Sequence, residues 1–326
     1  MGSPAAPRRG RELRRCVIRS RSHFSTNRTH HSNGGHVDST KRRSLHIGLN
    51  QVDPASYGGW CGELRACEAD AKAMADVARG RGFEPAVLLT REATVTAVEA
   101  GIRRAAAELP SGGFFFLTYS GHGGQVPDLD GDEATQSGDV PDTMDETWVL
   151  YDTQLLDDEI YGALSEFAPG VRIFVLSDSC HSGTITREAL VGRREMVESQ
   201  PTMRGAEISA PRVKWAPTTV TFAEFKAHRD QYEKRSLSGA CLALPKSHVK
   251  VILMSGCQDW QTSMDGTTNG AFTESFLNAW GAGAFTGNYQ DLHIAVKARL
   301  PFTQQPNLFA YGDGVENMLL TTPLAE

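Results

Sequence analysis

The sequence contains no run of about 20 apolar residues that could cross a membrane, and no apolar segment follows its early arginines as a secretory signal requires. Its six cysteines are scattered and form no CxxC pair. Neither a disulfide framework nor a cysteine zinc site is therefore indicated. We expect a cytoplasmic protein without a membrane partner. Its thiols should be free, and one of them is a candidate for a reactive group.

Charge is unevenly distributed along the 326 residues. Residues 1–43 carry eleven Lys and Arg against Glu12 and Asp38, whereas the rest has 22 basic and 37 acidic residues. The first segment has few large apolar side chains to bury, so we predict a disordered basic tail. A transit peptide would share its composition, but no amphipathic stretch is evident. No aromatic residues are interleaved in a folded basic platform, so we expect no nucleic-acid partner.

Strand-like and helix-like segments alternate from residue 44 onwards. Near-continuous apolar runs at 85–90, 113–120, 171–178 and 249–256 are typical of strands buried on both faces. Apolar residues at helical spacing lie between the earlier runs. This alternation predicts an α/β fold with a mostly parallel sheet and helices on both faces.

One domain, over residues 44–326, accounts for this pattern. Residues 183–246 are charged, interrupted by proline and weakly periodic, and we interpret them as a mobile linker with little structure. The linker separates a larger part, 44–182, from a smaller part, 247–326.

Two polar motifs follow directly after two of the predicted strands. They are YSGHGG, around His122, and SDSCHSG, around Cys180. In a parallel sheet both motifs emerge at the carboxyl edge, where α/β proteins place their sites. A thiol must lose its proton to attack a carbonyl, and an imidazole can take that proton and pass it to the leaving amine. The sequence therefore predicts Cys180 as nucleophile and His122 as its base.

Several motifs in a fixed order resemble the metacaspases, especially their bacterial relatives, over nearly all of residues 44–312. They are YSGHGGQ with D.DGDE, DETWVLYD with LLDDEI, DSCHSGT, and SGCQDWQTSMDG. The resemblance implies a caspase-like three-layer sandwich with a six-stranded sheet and a Cys180–His122 dyad. It also implies an oxyanion hole from the backbone N–H groups of Gly123 and Cys180. Protein or peptide substrates would be cleaved after Arg or Lys.

Four polar residues match family positions that line the pocket for the substrate's P1 side chain, the S1 pocket. They are Asp70, Ser120, Asp178 and Asp259. Carboxylates at the floor of a pocket select a cationic side chain, because a buried unpaired charge is costly. Self-cleavage in the linker is then expected, because it offers basic residues to such a site. The candidates are Arg193, Arg194, Arg204, Arg212, Lys234 and Arg235.

A calcium site is doubtful on sequence grounds. Asp157 and Asp158 match family calcium ligands, but Arg187 stands where calcium-dependent relatives carry an Asp. A cation there should weaken a site for a hard cation, so we expect that no cofactor is required. Asp128, Asp130 and Asp132 resemble the start of an EF-hand loop, but the Glu at its far end is missing and we interpret them as a solvated loop.

Two other classes of function compete with a peptidase. A non-catalytic scaffold of the same fold would bind proteins, and intact His122, Cys180 and Asp178 speak against it. A metal-dependent hydrolase using His122 and the acidic loop would lose its activity on chelation and keep it in Cys180→Ser. We expect a monomeric cysteine endopeptidase.

Overall fold

The computed structural model describes residues 41–127, 144–179, 212–238, 248–257, 263–266 and 268–325. The strands are β1 (Arg42–Gly48), β2 (Glu84–Leu89), β3 (Phe114–Ser120), β4 (Gly123–Pro127), β5 (Met144–Val149), β6 (Gln154–Leu156), β7 (Arg172–Asp178), β8 (Arg212–Val213), β9 (Lys250–Ser255), β10 (Met264–Asp265) and β11 (Asn307–Tyr311). The helices are α1 (Cys67–Arg79), α2 (Val95–Glu108), α3 (Asp157–Ser165), α4 (Thr218–Ala227), α5 (Arg229–Ser238), α6 (Ala271–Trp280), α7 (Tyr289–Lys297) and α8 (Val315–Leu319).

Six strands form the main sheet, in the order β11-β9-β7-β3-β1-β2. All neighbours in it are parallel except β11, which runs antiparallel to β9 at the edge. The predicted α/β fold with a mostly parallel six-stranded sheet is therefore confirmed. Parallel strands place their carboxyl ends at one edge, which is where the two polar motifs begin.

The apolar runs are buried on both faces of this sheet, as their continuity predicts. In β3, Phe115 and Leu117 pack with residues of α2 and α3, whereas Phe114 and Phe116 pack with α1 and α6. Alternation along the strand sends successive side chains to opposite faces. Two apolar layers thus fix β3 and its neighbours and hold the strand ends that carry the polar motifs.

Two smaller sheets were not predicted from the sequence. Strands β4, β5 and β6 form an antiparallel sheet that begins directly after His122. Strands β8 and β10 form a two-stranded antiparallel ladder. Both lie in segments where glycine and charged residues obscure the alternation of apolar and polar positions.

Two boundaries differ from the expectations. Strand β1 begins at Arg42, so the last residues assigned to the basic tail belong to the sheet. Residues 212–238 of the presumed linker form β8, α4 and α5, so the expectation of little secondary structure is wrong for them. Their order comes from buried contacts with β4 to β6, which local periodicity does not reveal.

Within the described ranges, no helix is both long and apolar enough to span a bilayer.

Candidate active site

The two strands that precede the polar motifs end side by side. Ser120 and Asp178 are the last residues of β3 and β7, and they are register partners. Just beyond them, the Gly121 N–H donates to the Asp178 carbonyl oxygen at 3.4 Å. His122 therefore leaves the sheet beside the end of β7. Cys180, Asp259 and the acidic loop lie outside the described residues.

The ring of His122 is held in one orientation. Its Nε2 lies 2.9 Å from the carbonyl oxygen of Gly62, which can only accept, so this nitrogen carries the proton. The other ring nitrogen, Nδ1, has no hydrogen-bond partner among the described residues, although it is buried. A neutral imidazole in this tautomer presents a lone pair at Nδ1. Such an atom can accept a proton.

Burial keeps His122 neutral. Its pKa is lowered from 6.5 to about 4, chiefly by desolvation and also by the charge of Lys214, while the hydrogen bond to Gly62 opposes the shift. The ring packs against Trp60 with 4.9 Å between centroids. The His122 carbonyl accepts from the Tyr119 hydroxyl at 2.7 Å and from the Val149 N–H at 3.0 Å. Backbone and ring are thus both fixed.

Gly62 is a functional position that the sequence analysis missed. Its φ of +53° lies in the left-handed region, which favours glycine. A Cβ there would lie 2.6 Å from the Trp60 ring and 3.0 Å from His122 Nε2. Only a glycine lets the backbone approach the imidazole this closely. The sequence carries a weak signal, the GGWCG cluster, which indicates a turn without indicating its partner.

Three of the four predicted S1 residues meet in one buried pocket. Asp70 on α1 accepts a hydrogen bond from the Ser120 hydroxyl at 2.7 Å, and both lie beside Asp178. Asp70 and Asp178 are 1% and 2% exposed. Other donors hold the carboxylates, including the Gly270 N–H for Asp70 and the Thr273 hydroxyl for Asp178. The pocket is thus a rigid, negatively charged recess.

The pocket is filled by a lysine of the same chain. The Lys214 Nζ lies 3.0 Å from Asp70 Oδ2, 2.9 Å from Asp178 Oδ2 and 2.9 Å from the Ser120 hydroxyl. Its side chain is fully buried. Burial alone lowers the pKa of Lys214, but the charges of Asp178 and Asp70 outweigh it and raise the pKa well above its ordinary value. The ammonium group is therefore permanently charged and fully paired.

The backbone of Lys214 is held as an extended strand. Its N–H donates to the Ser263 carbonyl at 3.0 Å, and the preceding residues form the β8–β10 ladder. Its carbonyl oxygen accepts from the Gly123 N–H at 3.1 Å. The Lys214–Trp215 peptide bond thus lies at Gly123, next to His122. The Trp215 backbone raises the pKa of His122, against the effect of burial.

Gly270 leaves the space that this lysine occupies. A Cβ on Gly270 would collide with Lys214 Nζ and would lie 2.6 Å from Asp178 Oδ2 and 2.9 Å from Asp70 Oδ2. Neither Gly270 nor Lys214 was predicted as a site residue. For Lys214 the sequence offers no comparable signal, because the residue of RVKWAP that Pro217 biases to extended backbone is Ala216.

Three of the predicted self-cleavage residues are described, and all three lie outside the acidic pocket. Arg212 pairs with Glu63 at the surface, Lys234 is exposed on α5, and Arg235 pairs with Glu159. None of these three occupies the acidic pocket. Arg193, Arg194 and Arg204 are outside the described residues.

The candidate calcium ligands do not line this pocket. Asp157 and Asp158 are the first two residues of α3, whose N-cap is Leu156 rather than either aspartate. Over the part of the chain that the structure describes, no group of three or more His, Cys, Asp and Glu side chains could hold a metal ion.

The fold and this arrangement of residues agree with a family assignment. The caspase domain family matches residues 42–312, well over half of the chain. The chain therefore belongs to the caspase domain family of cysteine peptidases.

Within that family the chain is similar to the metacaspases, as the motifs indicated. Metacaspase-1A of Aspergillus clavatus is 30% identical over 296 residues, which cover 82% of this chain and 66% of that protein. Metacaspase-1 of Emericella nidulans is 30% identical over 301 residues, 82% of this chain and 70% of that protein. The crystal structure of protein GSU0716 from Geobacter sulfurreducens has a TM-score of 0.75 at 41% identity, covering 87% of this chain and 98% of that one. The chain spans about two thirds of the length of these fungal metacaspases.

Proposed function

We propose that the protein is a cysteine endopeptidase of metacaspase type that cleaves peptide bonds after Arg or Lys. Cys180 acts as nucleophile, His122 as base, and Asp70, Ser120 and Asp178, joined by Asp259, form the S1 pocket. Substrates are proteins or peptides that present a basic residue on an extended segment.

One observation carries this proposal. Lys214 lies as a bound substrate residue would lie, with its ammonium group between two buried carboxylates and its carbonyl oxygen on the Gly123 N–H. Emptying such a pocket leaves two carboxylates without their cation, and a neutral side chain cannot replace it. Arg or Lys is therefore preferred at P1.

The state of His122 suits the chemistry of the proposed dyad. With Nε2–H donated to Gly62, the free Nδ1 can take the thiol proton of Cys180 and then protonate the amine of the departing residue. A thioester forms as the peptide bond breaks, and water then hydrolyses it. The Gly123 N–H stabilises the tetrahedral oxyanion, a contribution of about 3 kcal/mol for one such donor.

The same geometry favours self-processing at the Lys214–Trp215 bond. In the uncut chain Lys214 fills the pocket, so another substrate can bind only after this segment is displaced. The intact chain is then a self-blocked precursor, and its first substrate is its own strand β8 with Lys214.

A library of fluorogenic peptides that vary only at P1 tests the proposal. We expect turnover of Arg and Lys substrates at least about a hundredfold above Ala, and none in Cys180→Ala. An active-site-directed arginyl ketone should label wild type at Cys180. Turnover that persists in Cys180→Ala, or an absence of both labelling and turnover in freshly processed wild type, would favour the non-catalytic scaffold or another hydrolase.

The proposal includes no cofactor. Calcium independence, a monomeric state and a cytoplasmic location stay predictions from the sequence. Sedimentation of the purified chain tests the second of these, and turnover in the presence of a chelator tests the first.

A further inference from the structure

The Lys214–Trp215 bond divides residues 212–238 into two unequal parts. We call residues 212–214 the unprimed side and residues 215–238 the primed side, as for a substrate. Three residues of the unprimed side are described, whereas the described primed side contains α4 and α5. The two parts are held on the enzyme in different ways.

Ala216 ties the primed side to the same glycine that holds Lys214. The Ala216 N–H donates to the Gly123 carbonyl at 2.9 Å, while the Gly123 N–H serves Lys214. Ala216 is fully buried in a cluster with Tyr57 and Val149. A substrate that extends past P1 would have to occupy the space next to Gly123 that Trp215 and Ala216 now hold.

A buried carboxylate anchors α4 and α5. Glu224, which is 2% exposed, accepts hydrogen bonds from Thr153 Oγ1 at 2.6 Å, Gln154 Nε2 at 2.7 Å and the Tyr232 hydroxyl at 2.6 Å. Tyr232 is itself fully buried. Two of these donors lie in or beside β6, so the anchor joins the helices to the small antiparallel sheet.

Two further contacts extend this anchor. Arg235 forms an ion pair with Glu159 of α3 at 2.8 Å and donates to the Gln154 carbonyl at 2.9 Å. Thr221 on α4 lies so close to Gly124 on β4 that a Cβ on the glycine would be 2.8 Å from its methyl group. None of the hydrogen bonds and ion pairs described here for α4 and α5 involves residues 212–214.

Among the described residues, the unprimed side is held by Lys214, by a short ladder and by Arg212, which donates to the Glu63 carbonyl at 2.9 Å. Lys214 provides its buried ones, and beyond that residue the ladder of β8 with β10 is two residues long. Arg212 adds a surface ion pair with Glu63, of the kind that contributes little. Hydrolysis after Lys214 also creates a carboxylate there, next to the Gly123 N–H and the acidic pocket.

We infer that cleavage after Lys214 frees the unprimed side only, and that residues 215–238 stay bound as a wall over the primed half of the site. The inference rests on the proposed function, because the cut is made by that site. Trp215 and Ala216 then compete with the primed residues of every substrate. The processed enzyme therefore favours substrates with a small group after the basic residue over substrates that extend further.

Hydrogen exchange tests the retention without requiring catalysis. In the Cys180→Ala background, Lys214→Gln removes the cation that holds the unprimed side. We expect amides of 212–214 to exchange at least about tenfold faster, and amides of α4 and α5 to change less than about twofold. Faster exchange throughout 215–238, with β1 and α1 unchanged, would overturn the inference. Self-processed wild type should give the same pattern.

Turnover tests the consequence for specificity. Two substrates share their residues up to Lys, and one ends in a small fluorogenic amide while the other continues for four residues. Arg235→Ala loosens the wall, so the ratio of kcat/KM for the long substrate to that for the short one should rise about fivefold or more. Arg229→Ala is the matched control, because Arg229 is exposed on the same helix and pairs only locally with Glu233.

The outcomes separate the two proposals. An unchanged ratio in Arg235→Ala, with both substrates turned over, contradicts the wall and leaves the peptidase intact. Absence of turnover on both substrates contradicts the peptidase, and hydrogen exchange still decides whether residues 215–238 are held independently of Lys214.

Discussion

Two buried polar clusters hold the same segment on either side of the Lys214–Trp215 bond, and they satisfy their charges differently. The first, the acid pocket cluster, consists of Asp70, Ser120, Asp178 and Lys214, in which an ammonium lies between two carboxylates. The second, the Glu224 cluster, consists of Thr153, Gln154, Glu224, Tyr232 and His228, in which hydroxyl, amide and imidazole groups surround one carboxylate.

The difference teaches which cluster can bind a ligand. In the acid pocket cluster one flexible side chain supplies the whole positive charge, so another chain's Arg or Lys can replace it with the same chemistry. In the Glu224 cluster, donors from β6 and α5 are part of the fold, and no incoming group can replace them without disrupting it. Burial and charge alone do not distinguish a binding site from a structural anchor.

Removing the proposed nucleophile or base should have the largest effect. Cys180→Ala and His122→Ala should each fold, lose measurable peptidase activity and keep the Lys214–Trp215 bond intact, so that both clusters stay joined. General base catalysis alone contributes about 10² to 10⁴ in rate. Intact mass and turnover check this. Activity above about one hundredth of wild type in Cys180→Ala contradicts the assignment.

The next largest effects should come from neutralising one carboxylate in each cluster, and they should differ between the two clusters. Asp178→Ala should lower kcat/KM on Arg and Lys substrates by about two to four orders of magnitude, because breaking a buried pair costs about 3 to 5 kcal/mol. It should also stay a single chain. Glu224→Gln should lower the free energy of unfolding by about 1 to 3 kcal/mol but keep the preference for basic residues.

The measurements are thermal melts and P1 profiles of both variants. If a well-folded Asp178→Ala still prefers Arg over Ala by about a hundredfold, Asp178 does not belong to the pocket. If Glu224→Gln loses the P1 preference while it remains folded, the two clusters do not have separate roles.

A smaller effect of pH should arise from the buried histidines. Burial lowers the pKa of His122 to about 4 and that of His46 to about 3, from 6.5. As pH falls below 6.5, the unfolded chain binds protons that the folded chain does not, so the free energy of unfolding decreases. The decrease is at most about 1.4 kcal/mol per pH unit for each histidine.

Denaturant unfolding of Cys180→Ala between about pH 7.5 and 5 measures this. His122→Ala should make the dependence shallower, because it removes one of the two groups. Stability that rises as the pH falls over this range contradicts the burial argument for the histidines.

Chelation should have the smallest effect. Neither cluster contains a group of metal ligands, and Arg187 stands at a family calcium position in the sequence. Turnover should persist in excess EGTA and change less than about tenfold when millimolar calcium is added. A larger stimulation by calcium shows that Asp157 and Asp158 suffice for a site.

The sequence predicted the sheet and the place of Asp178 because both are local. Continuous apolar runs identify buried strands, and Asp178 follows from its position at the end of the strand that leads to Cys180. Asp70 and Ser120 required the family resemblance, since nothing around Asp70 in its helix indicates that it meets β3 and β7.

Lys214, Gly62 and Gly270 could not be derived in this way. Each acts through a partner far away in the chain: Lys214 through Asp70 and Asp178, Gly62 through His122, and Gly270 through the space that it leaves. The helices of 212–238 were missed for a related reason. Their anchors are polar and tertiary, so their sequence resembles that of an ordinary charged linker.

The most direct test of the account is the position of self-cleavage. Freshly purified wild type, Cys180→Ala, Lys214→Arg and Lys214→Gln would be incubated and their fragments identified by intact mass and N-terminal sequencing. We predict a new N-terminus at Trp215 in wild type and in Lys214→Arg, and an uncut bond in Cys180→Ala and Lys214→Gln. Cleavage of Lys214→Gln at this bond at the rate of wild type would contradict the placement of Lys214 as the P1 residue of self-cleavage. Cleavage of wild type only at other positions would contradict it as well.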